Sequence, residues 1–370
     1  MFYIIVTIVY LLPLTYVFFR VKHHFIPKKH LPVYTLVFIV LALSYPLTNF
    51  FFEAHFQALS DKLVILGSFS AVFFLYILLS ILLLDLLLIF NRFLHIIPRP
   101  VIKSRRHQTR GLLTIITLSL AVVIGGIVHF NSIRTSGYHV EIPRRNAQVD
   151  QLKIAFIADF HIQQKTNLHY VERVKEKINA LKPDLVLFGG DIVEGDGNED
   201  KLAQFEQLIS QIESRYGNYG VIGNHEIYGG KETEQFFNNA GIQLLKDTVE
   251  VVNSSVNLIG RLDEHIKDRK SLKELLKQSR DSLPIIMVDH RPTKIPEVSK
   301  TSVDMQLSGH THNGQLFPFN LITKSIYPLS WGYENLDNTH FFVTSGIRLW
   351  GPPVRTTGLS EIMVIDITFR

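Results

Sequence analysis

The chain of 370 residues contains no cysteine at all. This absence excludes disulfide bonds and thiolate metal ligands, and it is compatible with an oxidising compartment without proving one. The sequence also lacks internal repeats and low-complexity tracts. A metal site in this chain would therefore be built from oxygen and imidazole ligands, and the sequence has 16 histidines.

Apolar residues are abundant but unevenly distributed. They make up 46% of the chain, phenylalanine alone occurs 26 times, and the excess lies in the first 130 residues. The rest of the chain has an ordinary polar and charged content. We therefore predict a membrane region at 1–135, a linker at 136–149 and a globular domain at 150–370, which is long enough for a sizeable core.

Four apolar runs form the membrane region, at about 2–19, 31–52, 63–90 and 112–130. A helix needs about 20 mostly apolar residues to cross a bilayer, and each run is near or above that length. The first run can also be read as a signal peptide. It lacks a basic segment before it and a small-residue cleavage site after it, so we predict four spanning helices.

The basic residues between the apolar runs predict the orientation of the chain. Two of the three connecting loops are basic, and the loop between the second and third runs has only Lys62. The positive-inside rule places basic loops in the cytoplasm, which leaves both termini and the C-terminal domain outside. Asp85, inside the third run, is expected to contact a basic loop. The net charge of +5 reflects these loops, so we expect a lipid bilayer as partner and no nucleic acid. The loop residues are Arg20, Lys22, Lys28, Lys29, Arg92, Arg99, Lys103, Arg105, Arg106 and Arg110.

Strand-like and helix-like segments alternate after residue 150, which predicts an α/β or α+β domain. The segment 167–184 has apolar residues at helical spacing, with Asn167 as N-cap. Short apolar runs indicate buried strands. The main ones are 153–159, 184–191, 219–226, 284–290 and 304–312.

Five of these apolar runs end in side chains that can bind a metal. Each has a simpler explanation when taken alone: Asp191 can be a turn residue, Asn224 can cap a helix, and His290 can be a buried core histidine. Loops at strand ends are where a rigid sheet presents catalytic groups, and five together favour a metal site. The residues are Asp159 with His161, Asp191, Asn224 with His225, His290, and His310 with His312.

The type and number of these ligands predict a two-metal site. Carboxylate, amide and imidazole ligands suit Mn²⁺, Zn²⁺ or Fe better than a Ca²⁺ cage. Leaving out His225, the residues give seven ligands. Seven are too many for one tetrahedral ion with an open position, whereas they suit two ions that share a bridging carboxylate. Two such cations can clamp a phosphoryl group and lower the pKa of a bridging water.

The motifs at these strand ends resemble those of the calcineurin-like metallophosphoesterase family. The resemblance covers about 150–370, and the segment 344–367 is similar to the membrane-associated bacterial branch. It implies a two-sheet β-sandwich flanked by helices, with two metal ions at the strand ends. Phe160 and Asn313 depart from the family pattern without removing a ligand. The five motifs are DFH (159–161), GGDIVEG (189–195), GNHE (223–226), DHRP (289–292) and GHTHNGQ (309–315).

The resemblance also implies a role for each residue. Asp159, His161, Asp191 and His312 would hold one metal, and Asp191, Asn224, His290 and His310 would hold the other. His225 would be a catalytic non-ligand that polarises the phosphate or protonates the leaving group, and Glu226 would support the site. The implied enzyme is a membrane-anchored phosphohydrolase that cleaves phosphoester or pyrophosphate bonds of a small-molecule or lipid-linked envelope substrate by attack of a metal-activated hydroxide.

Three alternatives remain open at this level. The same chemistry can act on the cytoplasmic face, on a nucleotide-sugar lipid of the UDP-diacylglucosamine type. A membrane receptor or scaffold can keep the fold without turnover, although the complete ligand set argues against it. A transporter with a regulatory domain is the third, and nothing in the four apolar runs requires it.

Overall fold

A computed structural model describes residues 2–47, 57–163, 166–194, 199–229 and 231–370. The chain divides into two compact units. The first contains the residues up to Val128 together with 351–354, and the second contains 129–350 together with 355–370.

Helices make up the first unit, and three segments are long and apolar enough to cross a membrane: Lys28–Leu47, Leu66–Leu94 and Arg105–Asn131. The chain therefore has membrane helices. The first predicted span, 2–19, lies within helix α1 (Phe2–His24), which is not one of these three segments. The second predicted span, 31–52, continues past Leu47 into residues outside the described part of the chain. The helices are α1 (Phe2–His24), α2 (Leu31–Leu47), α3 (Gln57–Leu94), α4 (Arg99–Lys103) and α5 (Arg105–Asn131), which continues into the second unit.

Asp85 on α3 pairs with α1. Its carboxylate accepts hydrogen bonds from Arg20 Nε, at 2.8 Å and 3.0 Å, and from the Tyr16 hydroxyl. We expected Asp85 to contact a basic loop, but Arg20 lies inside α1 rather than in a loop. Pairing suits a charge placed among membrane helices, where an isolated carboxylate would be costly.

Two six-stranded sheets form the second unit. The first has the strand order β1-β12-β2-β3-β4-β5, and the second has the order β10-β11-β9-β8-β7-β6. Both are mixed, and their parallel parts are β1-β12 and β2 to β5 in the first sheet and β7-β8-β9-β11 in the second. The strands are β1 (Ile133–Ile142), β2 (Gln151–Ile157), β3 (Leu185–Phe188), β4 (Asn218–Gly220), β5 (Gln243–Leu244), β6 (Thr248–Val252), β7 (Val256–Gly260), β8 (Ile285–Val288), β9 (Met305–Ser308), β10 (Gly332–Leu336), β11 (Thr339–Val343) and β12 (Ser360–Phe369).

The two sheets pack face to face. Phe156 and Leu187 of the first sheet belong to one buried cluster with Leu307 and Phe342 of the second. Parallel strands are covered on both faces, which explains their continuous apolar sequences. The fold is thus two mixed sheets flanked by helices, as expected for an α/β metallophosphoesterase domain.

Helices cover the outer faces of both sheets. Helix α6 (Leu168–Leu181) places Val174 and Ile178 in a buried cluster with Phe188 of β3. It begins after Asn167, whose side chain accepts a hydrogen bond from the His169 N–H, as the sequence predicts. The remaining helices are α6 (Leu168–Leu181), α7 (Glu199–Ile209), α8 (Asn224–Gly229), α9 (Lys231–Asn239), α10 (Leu272–Leu276), α11 (Ile295–Val298) and α12 (Phe319–Ile326).

The strand β1 falls on the segment that we predicted to contain the linker. Residues 133–142 pair in parallel with β12 along their whole length, from Ile133 opposite Ser360 to Ile142 opposite Phe369. Val140 and Ile142 are buried in the core between the sheets. Residues 136–142 are therefore part of the sheet.

Candidate metal centre

Strand ends bring the polar residues of both sheets together. Asp159 and Asp191 follow the parallel strands β2 and β3, and His290 and His310 follow the parallel strands β8 and β9. Carboxyl ends of neighbouring parallel strands lie at the same edge of a sheet. Backbone hydrogen bonds tie the loops together: the N–H of Asp159 donates to Gly190 O, that of His161 to Asp191 O, and that of Gly309 to His290 O, each at 2.9 Å.

Five candidate ligands have a left-handed backbone conformation. The φ angles are 55° at Asp159, 46° at His161, 52° at Asp191, 71° at His310 and 49° at His312. Positive φ is uncommon for residues with a side chain, and such strain concentrates at functional sites. The strands β2, β3 and β9 therefore each end in a sharp turn.

Asp159, His161 and His312 form the first group of candidate ligands, with one ligand atom of each within 4.8 Å of the others. Nε2 of His161 lies 3.0 Å from Nε2 of His312, which is 3.6 Å from Oδ1 of Asp159. Both oxygens of Asp159 accept the backbone N–H of His310 at 3.0 Å. All three ligand side chains are buried.

Asp191, His290 and His310 form the second group, and one ligand atom of each again lies within 4.8 Å of the others. His290 Nδ1 lies 2.8 Å from Gly189 O, to which it can donate, and its Nε2 lies 3.1 Å from Asp191 Oδ2. The rings of His290 and His310 are 5.1 Å apart. The donation to Gly189 orients the ring so that Nε2 faces Asp191, where it can act as a ligand atom once it has lost its proton.

Asn224 and His225 enter the site at the start of α8. The backbone N–H of His225 donates to Asp191 Oδ1 at 2.9 Å, which holds the start of this helix against Asp191. Asp191 also forms a third group with His161 and His225, again within 4.8 Å. Asp191 thus belongs to two groups, one containing His161 and one containing His290.

Burial and neighbouring charges shift the pKa values of the side chains at the centre. Burial raises the pKa of Asp159 to about 6. Burial opposes the charged form of His290 as well, but the attraction of Asp191 outweighs it and raises the pKa of His290 to about 10. Burial and the neighbouring His290 lower the pKa of His310 to about 3, so this imidazole is neutral and able to bind a metal.

Unpartnered buried atoms test whether the residues fit a metal. Asn224 Oδ1 and His290 Nε2 are buried without a hydrogen-bond partner. Most buried polar atoms have such a partner, so these two need an explanation. A site of carboxylate, amide and imidazole atoms suits divalent transition metals, and bound ions would supply partners for unpartnered oxygen and nitrogen atoms. The residues present therefore fit a metal centre.

Comparison with known proteins places this centre in a family. Residues 152–314 match the family model of the calcineurin-like phosphoesterases. The chain contains a calcineurin-like phosphoesterase domain. The family consists of metal-dependent phosphoester hydrolases, so the family resemblance and the enzyme class inferred from the sequence are confirmed for the matched domain. The matched range includes all seven candidate ligands.

Relatives of this phosphoesterase domain occur in bacteria and animals. An uncharacterized metallophosphoesterase of Helicobacter pylori strain J99 is 33% identical over 223 residues, which cover 59% of this chain and 60% of the relative. One of Campylobacter jejuni is 29% identical over 274 residues, 69% of each chain. A transmembrane protein with a metallophosphoesterase domain from Danio rerio is 26% identical over 243 residues, 60% of this chain and 55% of the relative. The chain thus spans about three fifths of the Helicobacter relative.

Glu194 is a residue of the phosphoesterase site that the sequence analysis missed. Its Oε1 accepts from Nδ1 of His225 at 2.7 Å and from Nδ1 of His161, and its Oε2 accepts from Gln163. Burial alone would raise the pKa of Glu194, but the two imidazoles hold it well below its usual range. Glu194 lies in the GGDIVEG motif, so its position was visible, but its two histidine partners become apparent only in three dimensions.

Glu226 is more central to the domain than the sequence indicated. Its carboxylate accepts the backbone N–H groups of Asp191 at 2.9 Å, Ile192 at 2.5 Å, Val193 at 3.1 Å and Gly223 at 2.7 Å. Burial raises its pKa to about 7. Glu226 therefore fixes the loop that carries Asp191, and it acts on the site through that loop.

Glycines allow the loops of the phosphoesterase site to approach one another closely. Gly190 has a φ of +90°, and a Cβ there would lie 2.7 Å from the backbone nitrogen of Gly223 and from His290 Nδ1. A Cβ on Gly223 would lie 2.2 Å from Asp191 Oδ1. A larger residue at either position would displace Asp191 or His290.

Proposed function

We propose that this protein is a membrane-anchored phosphohydrolase that uses two divalent metal ions. The observation that carries the proposal is the convergence of buried carboxylate and imidazole atoms at the strand ends of a calcineurin-like phosphoesterase domain. We propose a functional division into a membrane region, 1–135, and a catalytic domain, 150–370, which β1 completes.

The proposed ligands fall into two sets that share Asp191. Asp159, His161, Asp191 and His312 would hold one ion, and Asp191, Asn224, His290 and His310 would hold the other, with Mn²⁺, Zn²⁺ or Fe as the metals. Such ions, when bound, neutralise charge on the phosphoryl oxygens and acidify water at neutral pH. Burial of the ligands excludes bulk water and strengthens every electrostatic contact inside the site.

His225 is the proposed catalytic residue that does not bind metal. Its side chain is 27% exposed, whereas that of His161 is 0% exposed, so His225 is the more accessible imidazole. Because Nδ1 of His225 contacts Glu194, Nε2 is left to face the substrate. We propose that Nε2 holds a proton that stabilises a phosphoryl oxygen or is donated to the leaving group.

We propose a lipid-linked or other envelope substrate, cleaved at a phosphoester or pyrophosphate bond. Helix α12 follows the loop that carries His310 and His312, and Tyr327, directly after this helix, packs its ring 6.1 Å from that of His310. Leu321, Ile322 and Ile326 on α12 are all more than half exposed. An exposed apolar helix beside the site is suited to the membrane surface, where a lipid-linked substrate lies.

The proposed activity can be tested with the full-length protein in detergent or nanodiscs. The assay measures hydrolysis of bis-p-nitrophenyl phosphate, p-nitrophenyl phosphate, pyrophosphate and a lipid pyrophosphate after metal removal and after addition of Mn²⁺, Zn²⁺ or Fe²⁺. We expect activity to require metal and Asp191→Asn to abolish it. Asp150→Asn is the matched control, because Asp150 is 78% exposed and pairs with Arg144. Unchanged hydrolysis in Asp191→Asn would reject the proposal.

The side of the membrane needs a separate experiment. We propose that the catalytic domain lies outside the cytoplasm. The basic residues are concentrated in the loops after the first and third apolar runs, and the positive-inside rule places such loops in the cytoplasm. A reporter active only outside the cytoplasm, fused after residue 370, should be active, and a reporter active only inside should be silent. The opposite pattern would place the same chemistry on the cytoplasmic face.

A further inference from the structure

A cavity of about 1200 Å³ lies in the membrane region, lined by residues of α1, the end of α3, the turn that follows it, and α4. It lies wholly within the first unit and is separate from the metal centre. Its lining has an unusual share of cationic and titratable residues for a membrane region. The basic lining residues are Arg20, His24, Arg92, His95, Arg99 and Lys103.

Positive charge in this cavity is not balanced by the residues that the structure describes. Asp85 is the one carboxylate among the lining residues, and it is already engaged by Arg20 and Tyr16. Arg92, Arg99 and Lys103 are exposed and have no carboxylate partner within the described ranges of the chain. Clustered cations in a cleft with apolar walls create a field that favours a bound anion.

The cavity wall is a fixed structure. The side chain of Asn91 donates to Ile97 O at 2.9 Å, and the N–H of Ile97 donates back to Asn91 Oδ1 at 2.6 Å. These bonds fix the turn between α3 and α4. Gln108 Nε2 donates to Ile102 O at 3.1 Å and ties α4 to α5. Arg99 and Lys103 are therefore presented to the cavity by an ordered helix.

Apolar surface continues from the cavity along α3. Leu88 and Ile89 of α3 line it, and Phe93 nearby is 77% exposed. This end of α3 belongs to a segment that is long and apolar enough to cross a membrane. A ligand that fills the cavity and also covers this surface has an anionic head and an apolar tail.

We propose that this cavity binds the phosphate headgroup of an anionic membrane lipid. The phosphate would contact the guanidinium groups of Arg92 and Arg99 and the ammonium group of Lys103, while the acyl chains lie on the exposed apolar face of α3. Arginine suits this role because its planar group recognises phosphate oxygens in pairs. The site does not depend on the activity of the phosphoesterase domain.

Titration of the detergent-purified full-length protein tests the proposal by native mass spectrometry or calorimetry. The probes are dioctanoyl phosphatidylglycerol, dioctanoyl phosphatidylcholine and glycerol 1-phosphate. The double variant Arg99→Gln/Lys103→Gln removes two cations from the cavity. Its matched control, Arg105→Gln/Arg106→Gln, removes two exposed cations that do not line the cavity.

We expect phosphatidylglycerol to bind more tightly than phosphatidylcholine and glycerol 1-phosphate. The cavity variant should weaken its binding by roughly fivefold for each cation removed, while the control variant should change it by less than about twofold. Equal binding of the two lipids, or equal losses in the two variants, would overturn the proposal. Glycerol 1-phosphate binding as tightly as phosphatidylglycerol would assign the cavity to a soluble phosphate instead.

Discussion

Glu194→Gln is the substitution that most directly tests how the metal centre is organised. The Glu194 carboxylate accepts hydrogen bonds from the Nδ1 atoms of His161 and His225. Both imidazoles contact the same oxygen, Oε1, while Oε2 accepts from Gln163. An amide keeps the size of the side chain and can keep one oxygen at the position of Oε1, but this oxygen is neutral. The substitution therefore removes the charge from the bonds that orient His161 and His225 and holds His161 less firmly in one tautomer.

The size of this effect follows from the burial of the pair. The side chains of His161 and Glu194 are 0% and 12% exposed, so solvent compensates poorly for the weakened bond. A hydrogen bond to a charged group contributes about 1.5–3 kcal/mol and one between neutral groups about 0.5–1.5 kcal/mol, so the loss of charge costs about 1–1.5 kcal/mol. That cost corresponds to roughly 5- to 12-fold weaker metal binding at the site that includes His161, and hydrolysis at limiting metal should fall in proportion.

Calorimetric titration of metal-free protein with Mn²⁺ or Zn²⁺ provides the measurement, together with hydrolysis of bis-p-nitrophenyl phosphate as a function of metal concentration. Glu172→Gln is the matched control, because Glu172 also contacts a histidine, His169, but both side chains are exposed. The control should behave as the unmodified protein does. If Glu194→Gln binds metal within twofold of the unmodified protein, the proposed role of Glu194 is wrong.

Three further predictions concern the backbone, the response to pH and the substrate. Gly190→Ala should lower the melting temperature and activity more than Gly241→Ala. Both positions have positive φ, which costs about 1 kcal/mol for alanine. Only at Gly190 does a backbone atom, the nitrogen of Gly223, lie 2.7 Å from the new Cβ. Equal losses of melting temperature in the two variants would refute the clash. Burial lowers the pKa of His340 in the folded protein. As pH falls below about 6.5, the imidazole therefore binds a proton more readily in the unfolded chain than in the folded protein, and the folded state is destabilised there. His340→Gln should therefore lose less melting temperature between pH 7.5 and 5.5 than the unmodified protein, and an equal loss would contradict this. Leu321→Gln/Ile322→Gln should reduce hydrolysis of a lipid pyrophosphate several-fold while leaving bis-p-nitrophenyl phosphate unaffected, and equal effects on both would argue against a membrane-facing α12.

Much of the catalytic domain could be predicted because its parallel strands are buried on both faces. Such strands read as short apolar runs, and the polar residue that ends each run marks the edge of the sheet. Asp159, Asp191 and His290 were identified in this way, and the structure places each beside other candidate ligands. The metal-binding role of each residue remains a prediction.

Other features could not be read from the sequence, for different physical reasons. The strand β1 mixes exposed and buried positions and lies directly after an apolar helix, so its residues looked like the end of a membrane region and a linker. Glu194 acts through two histidines that are distant in sequence. The left-handed turns at Asp159 and Asp191 depend on loops from neighbouring strands that approach through glycine.

The position of β12 between β1 and β2 constrains how the domain can fold during synthesis. Ser136 of β1 donates a hydrogen bond to Glu361 of β12, a residue 225 positions later. Until β12 leaves the ribosome, β1 and β2 each expose an unpaired edge beside a newly inserted membrane segment, and unpaired edges invite association with other chains. Contacts this distant in sequence also form slowly. We therefore expect the nascent domain to depend on chaperones for longer than a domain whose central strands are made early.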